Sequence, residues 1–135
     1  MIKEIADNLV KDLKRYGITI QRYDAYSTNS VYLKLDYGMC HTIRISDHKG
    51  KKHLSYRYNV IVGNENEYYR AVSRDGGWPM HYFNEAGLNK LIDMIYEYRE
   101  GKLKQYGPSV YSQFMDHSLQ ANNNSKGFWQ KAKLV

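Results

Sequence analysis

The chain has 135 residues, a formal net charge of +6 and one cysteine, Cys40. Length of this order makes one domain with its own core, and a lone cysteine excludes an internal disulfide and a thiolate zinc cluster, which fits a reducing cytoplasm. No apolar run approaches the ~18 residues of a membrane span, and MIKEIADNLVKDLKRYG lacks the apolar stretch of a secretory signal, so a cytoplasmic protein with no membrane partner is expected.

Residues 2–16 place Ile2, Ile5, Ala6, Leu9, Leu13 and Tyr16 at three- and four-residue spacing, which predicts an amphipathic helix stopped by Gly17. Four strand-like runs follow, at 18–24, 30–36, 40–46 and 53–62. SVYLKLD alternates cleanly, with Val31, Leu33 and Leu35 on one face and Tyr32 and Lys34 on the other. The turn around Gly38 predicts a hairpin with CHTIRIS, and DHKGKK is long enough to turn a second hairpin into the fourth strand. YYRAVS (68–73) reads as a possible fifth, edge strand, and RDGGWP (74–79) as a loop. A second helix is expected over 84–107, with Asn84 as its N-cap. The predicted fold is α+β: an N-terminal helix, a four- to five-stranded antiparallel sheet and a second helix in one domain, 1–107. Residues 108–135 read as an extension with a linker at 121–127 and a flexible or exchanged tail.

Charge is unevenly placed. Residues 41–58 carry Arg44, Lys49, Lys51, Lys52 and Arg57 against Asp47 alone, and residues 101–135 carry five basic groups against Asp116. Between them, 59–100 is acidic in balance. Such asymmetry points to a polyanionic partner. Fourteen tyrosines against three phenylalanines and two tryptophans suit a binding face, because the ring stacks and the hydroxyl bonds. If the middle strands are neighbours, Tyr32, Lys34, Arg44 and Arg57 form one outward basic and aromatic patch, with Lys49, Lys51 and Lys52 on its rim. Phe128 and Trp129 are too large to leave in water and are expected to anchor on a partner or on a second copy of the chain.

Chemistry has weaker signals. Asp47 and His48, with His53 near, offer a base and its orienter or a metal-dependent nuclease or hydrolase centre, but adjacent strand residues face apart and Asp often caps its own turn. The histidines show no HxH or HExxH spacing, GKKH is not a P-loop, and Cys40–His41 are adjacent rather than convergent. No enzyme, metal or cofactor is expected.

The run SVYLKLDYG…HTIRISDHKG…YRYNV, about residues 30–60, resembles small uncharacterised proteins of bacteriophages and prophages of Gram-positive bacteria. Proteins of that class include inhibitors of host defence, anti-CRISPR proteins among them. The resemblance implies a non-enzymatic binder acting in the host cytoplasm on nucleic acid, or on a host protein or nucleoprotein complex. It assigns no residue. The other readings are the Asp47–His48 hydrolase and an oligomeric structural protein, a homodimer joined through the tail.

Overall fold

The computed structural model describes residues 1–26, 28–48, 56–123 and 127–135. Helix α1 (Ile2–Lys14) buries Ile2, Ile5, Ala6, Leu9 and Leu13, the stripe set by its spacing. Among the described residues there are seven strands: β1 (Ile20–Asp24), β2 (Ser30–Leu35), β3 (Thr42–Ser46), β4 (Tyr58–Ile61), β5 (Tyr69–Val72), β6 (Met80–Phe83) and β7 (Lys133–Leu134). Helices α2 (Leu88–Tyr106) and α3 (Pro108–Asn123) separate β6 from β7.

The strands make one sheet in the order β5-β6-β4-β3-β2-β1-β7. This is α+β, as expected, but the expected antiparallel sheet of four to five strands is overturned. β3 pairs parallel with β4, and β4 parallel with β6. The β2–β3 hairpin forms with Leu33 opposite Ile43. The second hairpin does not, because parallel neighbours need a crossover where antiparallel ones need only a turn. The strand expected from 53 is described from Tyr58. Residues 49–55 lie outside the described residues. The MHYF and KL strands escape a periodicity reading because each is too short to show alternation.

Helices cover one face of the sheet. Val31, Leu33, Leu35, Ile43, Ile45, Tyr58, Val60 and Phe83 form a continuous core with the α1 stripe and with Leu91, Ile92 and Ile95 of α2. Each such side chain contributes about 1.5–3 kcal/mol on burial. Asn84 does cap, its Oδ1 accepting from the Gly87 amide at 3.2 Å around a 3-10 turn before α2. Gly87 must lack a side chain, since a Cβ there would run into the Tyr68 carbonyl oxygen. Helix α3 starts on Pro108, a residue suited to the first helical turn, and sends Tyr111 into the same core at 2% exposure.

A polar knot closes the end of β2. Asp36 is fully buried and accepts hydrogen bonds from Tyr111 Oη at 2.6 Å, Arg99 Nε at 2.7 Å and the Thr19 amide at 2.9 Å. Arg99 also donates to the carbonyls of Tyr16 and Gly17, just past α1. Asp36 and Tyr37 sit at φ of 48° and 55°, left-handed backbone that non-glycine residues adopt only when surroundings hold it. Removing the carboxylate leaves Arg99 and the Tyr111 hydroxyl without their acceptor. Asp36→Ala is expected to lower the unfolding free energy by about 3 kcal/mol or more, read by urea denaturation of the full chain.

Candidate functional site

Because β3, β4 and β6 run parallel, they begin at the same end of the sheet. Residues at or before those starts, His41, Thr42, Arg57, Trp78 and Met80, line a pocket of about 390 Å³ together with Arg74 and the glycines 38 and 77. The volume suits a small ligand or one unit of a polymer. Trp78 is 64% exposed, and the Arg57 guanidinium lies 4.9 Å from the centre of its ring. Among the described residues, the buried Nε and Nη1 of Arg57 make no hydrogen bond of good geometry, although the Tyr58 hydroxyl lies near enough for the guanidinium to oppose the rise that burial gives its pKa.

His41 sits on left-handed backbone, φ 69°, at the corner where the chain leaves the turn for β3. Its ring packs 4.8 Å from Tyr98 of α2 and 6.2 Å from Trp78, and its buried Nε2 has no hydrogen-bond partner among the described residues. Burial, then the positive charges of Arg57 and Lys102, hold its pKa down to about 4. His81, bonded through Nδ1 to Tyr69 Oη at 2.8 Å, is also lowered, by burial and then by Arg57. The field in this end of the sheet is positive, and both imidazoles stay neutral within it.

The patch expected from sequence forms in part and is not exposed. Tyr32 pairs with Arg44 across β2–β3, and Lys34 shares their face. Lys34 and Arg44 are only 7% and 2% exposed. Phe128 and Trp129, expected on a partner or a second copy, lie on this chain's own sheet. Phe128 stacks 4.7 Å from Tyr23 and 4.8 Å from Tyr32, and Lys34 Nζ lies 4.5 Å over the Trp129 ring. Arg57 leaves the patch for the pocket, since it precedes β4, and Asn59 takes the register position beside Arg44. Lys49, Lys51, Lys52 and His53 lie outside the described residues.

Asp47 accepts from Asn29 Nδ2 at 3.1 Å, and its carboxylate is 4.0 Å from His48 Nε2, too far for a hydrogen bond. Among the described residues no group of three His, Cys, Asp or Glu side chains is placed to hold a metal. Cys40 and His41 face apart. The Cys40 thiol is buried against Tyr111 Oη at 3.0 Å, and burial pushes its pKa up to about 12, which leaves it unreactive. No helix among the described residues is long and apolar enough to cross a membrane. The residues that sequence reasoning missed are Arg74, Trp78 and Lys102. The available signal was RDGGWP, a tryptophan and an arginine held in a loop too rich in glycine and proline to bury them.

No family model, curated protein or solved structure matches the chain.

The unfolded His41 imidazole protonates near its ordinary 6.5, whereas the folded one waits until about 4. The unfolded chain thus binds more protons between those values, and the fold loses stability as pH falls from about 6.5 to about 4. Asparagine tolerates left-handed backbone and does not titrate. His41→Asn is therefore expected to show a shallower fall in urea midpoint over this range than the unmodified chain.

Proposed function

We propose that this protein is a non-enzymatic binder of nucleic acid, and that the pocket at the head of β3, β4 and β6 takes a phosphate together with its neighbouring base. The observation that carries this reading is Arg57. Its guanidinium presents buried N–H donors that no acceptor among the described residues meets with good geometry, in an open, positively charged pocket. A buried unmet donor costs about 1–3 kcal/mol, and a phosphate oxygen is the acceptor best matched to a guanidinium fork. Arg74 lines the same pocket and supplies a second guanidinium, and the exposed Trp78 ring supplies a stacking surface. The lining offers donors and ring faces rather than a nucleophile beside a base.

The finer reading is a bacteriophage inhibitor of host defence that occupies nucleic acid or displaces it from a host complex. Its support is the resemblance over residues 30–60 and the net charge of +6.

Arg57→Glu combined with Arg74→Glu is expected to weaken binding of a labelled oligonucleotide about tenfold or more and to flatten its salt dependence. Trp78→Ala is expected to cost about tenfold through lost stacking. Both are read by fluorescence anisotropy over a salt series, with circular dichroism to show the fold intact. Unchanged affinity in both variants would end this reading.

A further inference from the structure

We infer that the face of β1 and β2 beneath the C-terminal tail is a second binding site, for single-stranded nucleic acid, and that Phe128 and Trp129 occupy it as stand-ins for bases. The inference rests on the nucleic-acid reading above and adds a separate site to it.

The site is cationic, aromatic and badly matched to its cover. Tyr23 and Tyr32 lie side by side across β1–β2, their rings 6.3 Å apart. Lys34 is next along the same face of β2, and Arg44 stands behind Tyr32, bonded to its hydroxyl at 3.4 Å. A row of rings flanked by cations is what a single strand needs: π-faces for bases and positive charge for the backbone.

The tail imitates the first half of that ligand and not the second. Phe128 stacks on Tyr23 at 4.7 Å with an interplanar angle of 27°, and Trp129 meets Tyr32 edge-on. The covering segment GFWQKAKLV, however, has no acidic side chain and carries Lys131 and Lys133. Among the described residues neither Lys34 nor Arg44 forms an ion pair. Burial lowers the Lys34 pKa, and no carboxylate among the described residues opposes it. A cation buried under a segment of its own sign gains only the ring face above it, whereas a phosphodiester would supply the missing charge.

The cover is also lightly held. β7 is two residues long, pairs only with β1, and leaves Leu134 63% exposed. A strand that displaces the tail must offset the release of Phe128 and Trp129, which its bases do by stacking on the same rings while its phosphates add the charge the tail lacks.

The edge pairing provides a reversible lock. Gln21 faces Leu134, and the neighbouring Val135 amide bonds to the Ile20 carbonyl, so the 21–134 pair is the close, non-hydrogen-bonded kind that a disulfide spans. In the full chain carrying Gln21→Cys and Leu134→Cys, the oxidised form is expected to bind a labelled oligothymidine about tenfold more weakly than the same sample after reduction, the worth of one stacked base. Phe128→Ala with Trp129→Ala in the otherwise unmodified chain is expected to tighten binding in the same direction, and adding Lys34→Gln to cancel the gain. Equal affinity in the locked and reduced states would overturn the second site and leave the pocket standing. Binding in neither state would overturn both readings. A crosslink that joins two chains instead of closing within one would overturn the placement of the tail.

Discussion

The fold depends on one buried carboxylate. Asp36 has no exposed surface, and ends β2 at the point where four separate stretches of chain converge. It holds the Thr19 amide before β1, Arg99 from the middle of α2 and the Tyr111 hydroxyl from the first turn of α3. Through Arg99 it also ties down the turn that follows α1, whose Tyr16 and Gly17 carbonyls accept from that guanidinium. A buried carboxylate is tolerable only when its lone pairs are filled, and here three strong donors fill them. The hydrophobic stripes bring helices to the sheet without fixing where each stops. The directional bonds of Asp36 fix that register.

The same knot produces the pocket. Holding Asp36 and Tyr37 in left-handed backbone bends the chain sharply, and His41 leaves the bend left-handed as well. Cys40 is consequently drawn inward against Tyr111, while His41 faces Trp78 and Tyr98. Two adjacent residues that look like a reactive pair in the sequence end up in different environments, one sealed in the core and one lining a pocket. The parallel pairing of β3, β4 and β6 then delivers Arg57 and Met80 to the same end of the sheet.

Two cationic, ring-lined surfaces result, differing in what opposes their charge. At the strand starts the cations surround an open pocket in which the imidazoles remain neutral. Under the tail, Lys34 is closed over by a tryptophan ring. In both places ring faces meet cations without a carboxylate partner among the described residues.

By itself the sequence determined the local features. Helix α1 follows from apolar spacing, though it ends at Lys14 and not at residue 16, the β2–β3 hairpin from clean alternation before a glycine turn, and the cap at Asn84 from its side chain. It also placed Tyr32, Lys34 and Arg44 on one face, since alternation along a strand needs no partner to be read. The tertiary structure alone decided whether that face is open. Burial of Lys34 depends on a tail ninety-odd residues away in sequence, and the assembly of His41, Arg57 and Trp78 depends on parallel pairing across a crossover. Periodicity reports which side a residue faces, because that is a property of one segment. What lies opposite it is a property of pairings between segments, and those are settled only when the whole chain minimises its buried, unmatched polar groups together.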